Sequence, residues 1–266
     1  LAVGWGLTPS YISNRGSTMT AKFTPIVEGL PSTVPFVGPE HQERARGRAF
    51  KARIGANESV FGPSPRVIEA MRAAAPDQWM YCDPNNHDLR LAIAAHHGLP
   101  PEAIVIGEGI DGLFGYTNRL FVGPGDKVLT SLGAYPTFNF HVAGYGGELI
   151  TVPFQGDHED PHALAEAAAE HRPKLVYLSN PDNPMGSWHP AKRVQEMIDA
   201  VPEGTLLILD EAYVEFAPAD AMPQIAMAPA GTVVPPFQQG DKWLAVVVKD
   251  KKDEVYDAEA QVNLFR

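Results

Sequence analysis

Two apolar segments that flank a polar stretch constrain the fold of this chain more than any other feature. The first covers residues 175–180 (LVYLSN) and the second residues 205–216 (TLLILDEAYVEF), and both begin with a run rich in Leu, Val and Ile. Continuous apolar runs of this kind are typical of strands buried on both faces of a parallel sheet. Because residues 189–200 between them are compatible with a helix, we predict a βαβ unit with parallel strands and a right-handed crossover.

Polar residues follow both predicted strands. Asn180 and Asn183 come at the end of the first strand, and Asp210 and Tyr213 come at the end of the second. Ligands of open parallel sheets bind at the carboxyl edge of the strands, so these side chains are candidates for ligand contact. A carboxylate, which only accepts hydrogen bonds when it is ionised, indicates together with a phenol a ligand that has a basic nitrogen and a nearby oxygen.

The same residues carry a family resemblance. NPDNPMG (residues 180–186) resembles the NPxNPTG turn, and LDEAYVEF (209–216) resembles the DEAY strand end, of the fold-type I pyridoxal-phosphate (PLP) aminotransferases, above all the histidinol-phosphate aminotransferase branch. The resemblance implies an α/β protein, a three-layer α/β/α sandwich with a mostly parallel sheet, which is the large domain of PLP transferases in incomplete form. It also implies PLP as the cofactor and an amino acid and a 2-oxo acid as small-molecule substrates.

The resemblance assigns roles to individual residues. Asp210 would face the pyridine nitrogen of PLP, where a carboxylate stabilises the protonated ring because an opposite charge favours the charged form. Asn183 and Tyr213 would hold the phenolic oxygen of the ring. Tyr135 aligns with the aromatic residue that stacks on the pyridine ring in the family. Without the family, Tyr135 is equally a core aromatic residue beside Phe138.

Two further segments resemble the family. ANESVFGPSP (56–65) resembles the NENPFGPSP segment at the substrate entrance, which implies a substrate contact for Asn57; a loop followed by a helix cap explains the same letters. MYCDPNNHDLRLAIA (80–94) resembles RYPDPxxxxLRxALA. Tyr81 then matches the tyrosine that reaches the phosphate of the cofactor in the neighbouring subunit, so the resemblance implies a homodimer.

The segment GEGIDG, from Gly107 to Gly112, follows a predicted strand at residues 103–106 and has two interpretations. It fits the G-x-G-x-x-G fingerprint of dinucleotide-binding folds, which would make the chain an NAD(P)-dependent oxidoreductase. It also resembles the family's GNGSDELI, in which backbone N–H groups, here those of Ile110 and Asp111, hold the PLP phosphate. Both interpretations place an anion at a helix N-terminus. The second agrees with the motifs downstream, although Ile110 then replaces a serine hydroxyl.

The resemblance does not supply the catalytic lysine. In the family, the Schiff-base lysine lies beyond DEAY in a segment like TFSKxxGLAGxRxGY. The lysines that follow Tyr213 here lie outside any such segment: Lys242, Lys249, Lys251 and Lys252. We therefore expect the chain as written to be truncated before this lysine, to bind PLP at most non-covalently, and to be impaired or inactive. The other alternative is a non-catalytic PLP-binding subunit that lends Tyr81 to a complete partner.

The sequence predicts three regions. Residues 1–50 contain scattered prolines without a clean period, and we predict an N-terminal arm. Residues 51–226 form the partial PLP-binding large domain. Residues 227–266 depart from the family and form an unrelated C-terminal tail, in which residues 243–248 are apolar enough for one strand.

Composition excludes several classes of function. The net charge of −11 over 266 residues argues against a nucleic-acid binder, which needs clustered Lys and Arg. No apolar run approaches the length of a membrane span. A single cysteine, Cys82, excludes an internal disulfide and fits a reducing, cytoplasmic location. His87, His96 and His97 lack a zinc-like ligand spacing, so no metal site is predicted.

Overall fold

The computed structural model describes residues 22–31, 36–53, 55, 57–59 and 61–218, and the backbone of residues 238–239 and 242–247. The helices in this part of the chain are α1 (Pro25–Gly29), α2 (Pro39–Arg46), α3 (Pro65–Ala74), α4 (His87–His97), α5 (Gly109–Phe121), α6 (Pro136–Gly144), α7 (Pro161–His171) and α8 (Ala191–Ala200). The strands are β1 (Lys127–Ser131), β2 (Glu148–Val152), β3 (Leu175–Ser179), β4 (Leu206–Asp210), β5 (Gln238–Gln239) and β6 (Lys242–Val247). Short 3₁₀ turns span Ala75–Asp77, Pro101–Ala103 and Val214–Phe216.

Helices α3 and α7 begin where the sequence puts a capping side chain before a proline. The hydroxyl of Ser64 accepts a hydrogen bond from the backbone N–H of Val67 at 3.3 Å. The carboxylate of Asp160 accepts hydrogen bonds from two N–H groups in the first turn of α7. In both helices the first residue is proline, whose missing N–H costs nothing at this position. The cap at Asp160 also fixes the position of the residue before it, Glu159.

The strands form one sheet in the order β2-β1-β3-β4-β6-β5. All neighbouring pairs are parallel except β5 with β6. The predicted βαβ unit is confirmed as β3, α8 and β4, and its register pairs Ser179 with Asp210 at the carboxyl end. The strand predicted at residues 243–248 is β6, parallel to β4. The carboxyl ends of β1, β3 and β4 therefore meet at one edge of the sheet.

Helices cover both faces of the sheet, because successive residues of a strand point to opposite sides. On one face Leu207 packs in a cluster with Leu164 of α7 and with residues of α8. On the other face Ile208 packs in a cluster with Phe114 of α5 and Phe138 of α6. Each fully buried side chain of this size contributes about 1.5–3 kcal/mol. The predicted α/β fold with three layers and a mostly parallel sheet is confirmed.

The prediction of a strand at residues 103–106 is wrong. A 3₁₀ turn spans Pro101–Ala103, and residues 104–106 pair with no strand in the part of the chain that the structure describes. Pro100 and Pro101 favour the turn, and the guanidinium of Arg90 donates two hydrogen bonds, of 3.2 and 2.7 Å, to the carbonyl of Pro101. Helix α5 therefore starts without the preceding strand that a dinucleotide-binding unit requires.

The described part of the predicted N-terminal arm contains α1 and α2, and neither helix buries a residue. Arg53 donates to the carboxylates of Glu40 and Glu43 at 2.6 and 2.7 Å, which ties α2 to the segment that leads to Asn57. None of the helices that the structure describes combines the length and apolar character needed to cross a membrane. The division of the chain at residues 50 and 226 stays a prediction.

Candidate cofactor-binding site

A cleft of about 440 Å³ lies at the carboxyl edge of the sheet, between the turn that follows β3 and the segment that follows β4. The cleft brings Asn57, Asn183 and Tyr213 together, and the amide of Asn57 donates a hydrogen bond of 3.1 Å to the phenol oxygen of Tyr213. Its other lining residues are Pro181, Asp182, Pro184, Gly186, Trp188, Phe216, Ala217 and Pro218. Apolar walls with a few convergent polar groups are typical of sites for small molecules and cofactors.

Asp210 ends β4 and is only 5% exposed. Its Oδ2 accepts a hydrogen bond from the hydroxyl of Tyr177 at 2.9 Å, and its Oδ1 accepts one from the backbone N–H of Ala212 at 2.9 Å. Tyr177 lies on the neighbouring strand, two residues before the Ser179 that pairs with Asp210. This diagonal position is one that long side chains reach. The two donors fix the orientation of the carboxylate before any ligand arrives.

The hydroxyl of Tyr177 stays protonated at neutral pH, because burial and then the charge of Asp210 raise the pKa of Tyr177 well above its ordinary value. Its ring stacks on that of Phe138, with centroids 4.5 Å apart, and meets the ring of Phe114 at 90° and 5.4 Å. Such aromatic pairs contribute about 0.5–1.5 kcal/mol beyond the area they bury. Aromatic packing therefore holds the hydroxyl rigidly against the carboxylate of Asp210.

Tyr135 stands immediately before α6, after the turn that leaves β1, and is half-buried. Its ring centroid lies 6.4 Å from that of Phe114, with the two rings tilted by 47°. The same aromatic cluster that supports Tyr177 thus also contacts the residue predicted to stack on a cofactor ring.

The N-terminus of α5 carries Ile110 and Asp111. The first N–H groups of a helix have no intrahelical acceptor and form the positive end of the helix dipole, so they suit an anion. The side chain of Ile110 is buried in the core, which leaves its backbone N–H as the group that can face a ligand. The carboxylate of Asp111 is exposed, and its Oδ1 lies 2.8 Å from Nε2 of His141 on α6. This contact joins the side chain of Asp111 to α6.

The glycine at position 112 can be explained by its contacts within the chain, without a bound nucleotide. The Oε2 of Glu108 accepts a hydrogen bond from the hydroxyl of Tyr116 at 2.8 Å, and this bond lowers the pKa of Glu108. A Cβ at position 112 would lie 2.6 Å from that Oε2. A side chain at the last glycine of the G-x-G-x-x-G pattern would therefore displace the flexible carboxylate of Glu108 from its bond with Tyr116.

The predicted site residues occupy three places. Those that line the cleft are Asn57, Asn183 and Tyr213. Those at neighbouring strand and helix ends are Ile110, Asp111, Tyr135 and Asp210. Tyr81 is fully exposed, at 104%, and lies outside the cleft. The roles assigned to these residues stay predictions.

Sequence reasoning missed three residues of this region: Tyr177, Trp188 and Phe216. The available signal for Tyr177 was one hydroxyl within the otherwise apolar start of β3. Asn180, predicted at the ligand edge, has a structural role, since its side chain accepts from the N–H of His189 at 2.7 Å and donates to the His189 carbonyl at 3.1 Å. A larger groove, of about 810 Å³, lies between α7 and α8 and is lined by none of the predicted site residues.

Replacing Tyr177 with Phe is expected to lower the free energy of unfolding by about 1.5–3 kcal/mol, because a hydrogen bond to a charged group is lost. Urea unfolding followed by circular dichroism measures the change. Tyr145→Phe is the matched control, since Tyr145 packs against the same core cluster without bonding to Asp210. A loss for Tyr177→Phe no larger than that for the control would argue against the bond between Tyr177 and Asp210.

Known proteins resemble this chain over most of its length. The family model for aminotransferase class I and II matches residues 51–248. A histidinol-phosphate aminotransferase of Anaeromyxobacter sp. is 38% identical over 200 residues, which cover 75% of this chain and 53% of that protein. A histidinol-phosphate aminotransferase of Paramagnetospirillum magneticum is 36% identical over 188 residues, which cover 71% of this chain and 51% of that protein. The chain spans about half the length of the curated relatives it matches.

Solved structures resemble it as well. The crystal structure of histidinol-phosphate aminotransferase from Sinorhizobium meliloti in complex with pyridoxal-5'-phosphate superposes with a TM-score of 0.77 at 52% sequence identity, covering 86% of this chain and 59% of that one. The L-threonine-O-3-phosphate decarboxylase from Porphyromonas gingivalis, at 18% identity and a TM-score of 0.57, shares the fold. Because the family model matches well over half of its residues, this chain belongs to the class I and II aminotransferase family.

Proposed function

We propose that this chain carries the PLP-binding part of an enzyme that transfers an amino group between an amino acid and a 2-oxo acid. The observation that carries the proposal is the buried carboxylate of Asp210 at the end of β4, in the segment that leads to Tyr213, which lines the cleft together with Asn183. The PLP complex of the Sinorhizobium meliloti relative supports the choice of cofactor. The curated relatives are histidinol-phosphate aminotransferases, so histidinol phosphate, an amino alcohol phosphate rather than an amino acid, is a further amino donor to test.

The chemical groups present fit those of PLP. Asp210 is an oriented acceptor for the protonated pyridine nitrogen, and Tyr213 and Asn183 offer polar groups to the phenolic oxygen of the ring. Tyr135 offers an aromatic face, and the N–H groups at the start of α5 suit a phosphate. When bound, PLP supplies an electron sink for the bond-breaking step, while the protein supplies binding, orientation and electrostatics.

Two other residues have proposed roles, one towards the substrate and one towards a partner subunit. Asn57 lies at the mouth of the cleft, bonded to Tyr213, and we assign it a contact with the substrate. Tyr81 is fully exposed, so it has no contact with the cleft of its own subunit. We assign it to the cofactor phosphate of a partner subunit in a homodimer.

An absorbance titration of the purified 266-residue polypeptide with PLP tests the proposal. We expect saturable binding at one site per chain, and weaker binding of pyridoxal, which lacks the phosphate that the N-terminus of α5 would hold. Sedimentation of the same sample reports whether the chain dimerises. Saturable PLP binding by a monomer would exclude the role of Tyr81, because no partner subunit would be present to supply it. Absence of PLP binding, or binding of NADH without any response to PLP, would overturn the proposed function.

Borohydride reduction followed by peptide mass spectrometry tests how the cofactor is held. For this polypeptide we expect no reduced lysine adduct, because none of the lysines after Tyr213 stands in a segment like TFSKxxGLAGxRxGY. Stoichiometric labelling of one lysine, or steady transamination by the pure polypeptide, is incompatible with non-covalent binding.

A further inference from the structure

Two buried carboxyl groups lie on either side of one serine hydroxyl at the carboxyl end of β3. Glu159 is 1% exposed and Asp182 is 3% exposed. The Oγ of Ser179 lies 3.0 Å from Oε1 of Glu159 and 3.1 Å from Oδ1 of Asp182. The backbone N–H of Ser179 also donates to Oε1 of Glu159 at 3.0 Å. The hydroxyl thus sits at hydrogen-bond distance from an oxygen of each carboxyl group.

The two contacts of Ser179 determine how many protons the pair of carboxyl groups carries. A hydroxyl has one hydrogen and can donate it to one acceptor. Both contacts of Ser179 are hydrogen bonds only when one carboxyl group carries a proton and donates it to Oγ, while Oγ–H donates to the other. With both carboxylates ionised, one contact would be between two acceptors, and the two negative charges would repel each other.

We infer that Glu159 and Asp182 share one proton through Ser179, and that this proton holds the turn that carries Asn183 in its binding position. Within the described residues, no Lys, Arg or His forms an ion pair with either carboxyl group, so the charge is not neutralised in another way. The Oε2 of Glu159 is buried without a hydrogen bond of normal geometry, a costly position for a charged oxygen. The nearby hydroxyl of Ser131 lowers the pKa of Glu159, but by less than burial raises it. Burial raises the pKa of Glu159 to about 7 and also raises the pKa of Asp182.

Asp182 transmits the effect of the proton to the turn. Its Oδ2 accepts from the backbone N–H of Met185 at 3.1 Å, and its own backbone bonds to Ser187 and Gly186 at 2.8 and 2.9 Å. In the sequence, Asn183 lies between Asp182 and these hydrogen-bond partners. A second negative charge in the cluster would push Asp182 away from Glu159 and loosen this set of bonds. The consequence for PLP rests on the proposed function of Asn183; the proton itself does not.

Other titratable groups surround the cluster. His189 bonds through Nε2 to the carbonyl of Glu159 at 2.7 Å, and burial lowers the pKa of His189. Tyr177 of β3 interacts electrostatically with Glu159. The groups next to Glu159 in the chain are His158 and Asp160, and Asp160 is 3.3 Å from Arg193 of α8. A comparison of wild type with Glu159→Gln leaves all of these groups in place, so the difference between their pH profiles isolates the shared proton.

Unfolding in urea between pH 6 and pH 8.5 tests the proton without any cofactor. A carboxyl group whose pKa is raised in the folded state stabilises the fold less as pH rises towards and through that pKa. For a pKa raised from the ordinary 4.5 to about 7, Glu159 is expected to contribute an increase of about tenfold to the unfolding equilibrium constant of wild type over this range. Burial also raises the pKa of Glu211 to about 7, and the increase that Glu211 adds is common to wild type and all the variants. Glu159→Gln, whose amide can donate to Ser179, is expected to remove the contribution of Glu159. Asp182→Asn is expected to reduce that contribution, since Glu159 stays buried but loses the neighbouring charge. The exposed control Glu166→Gln is expected to keep the full contribution of Glu159.

A PLP titration of the same polypeptides at the two pH values tests the link to Asn183. We expect the affinity of wild type to fall at pH 8.5 by more than that of Glu159→Gln. If Glu159→Gln and Asp182→Asn both kept the pH dependence of unfolding seen in wild type, the inference of a shared proton would be overturned. Equal pH dependence of PLP affinity in wild type and Glu159→Gln would overturn the link to the turn. If wild type binds no PLP at either pH, the proposed function fails, while the unfolding profiles still decide whether the proton is shared.

Discussion

Asp210→Asn is expected to weaken PLP binding by about ten- to hundredfold. In the proposed site the carboxylate meets the protonated pyridine nitrogen, and a hydrogen bond to a charged group contributes about 1.5–3 kcal/mol. Each 1.4 kcal/mol corresponds to a factor of about ten in the dissociation constant. The amide keeps the shape of the side chain but removes its charge, and the buried position leaves little room for water to replace it. Absorbance titration with PLP measures the change.

The binding defect of this variant has to be separated from a folding defect. Asp210 accepts hydrogen bonds from Tyr177 and Ala212 on its two oxygens, and an amide offers an acceptor to only one of them. We therefore also expect a loss of about 1–3 kcal/mol in the free energy of unfolding, since one donor is left unsatisfied. Asp199→Asn, which changes an exposed carboxylate on α8, is the control. Equal PLP affinities of the two folded variants would exclude a direct role of Asp210.

The core of the fold could be predicted from sequence because its signals are local. The apolar runs of β3 and β4 are long enough to indicate strands buried on both faces, and the polar residues after them mark the carboxyl edge. Capping residues before a proline, such as Asp160, indicate helix starts in the same way. The alignment of Asn183, Asp210 and Tyr213 at one edge then follows from parallel strands alone.

The parts that could not be predicted depend on partners far apart in the chain. The bond between Tyr177 and Asp210 joins residues 33 positions apart and exists only in the observed register of β3 and β4. The cluster of Glu159 and Ser179 likewise joins residues 20 positions apart. The prediction of a strand at residues 103–106 failed for a local reason. The apolar residues suit a strand, but the adjacent prolines start a turn, and no described strand pairs with this segment.

Phe114→Ala is expected to cost about 3–5 kcal/mol in the free energy of unfolding, the loss typical of a buried phenylalanine replaced by alanine. Phe114 is fully buried, and its ring meets those of Phe138 and Tyr177 edge-on at 5.3 and 5.4 Å. Whole domains are stable by about 5–15 kcal/mol, so the variant would lose a large fraction of its stability. Urea unfolding measures the loss. Leu120→Ala, at an exposed position of the same helix, is expected to change it by at most about 0.5 kcal/mol.

The same variant tests whether the core orients the candidate site. Phe114 contacts the rings of both Tyr177, which donates to Asp210, and Tyr135, which is assigned to the cofactor ring. A cavity at Phe114 gives both rings room to move, so the folded fraction of Phe114→Ala is expected to bind PLP more weakly than Leu120→Ala does. Unchanged stability would contradict the packing of α5 against the sheet. Lost stability with unchanged PLP affinity would mean that the strands alone, without the aromatic cluster, hold the hydroxyl of Tyr177 on Asp210.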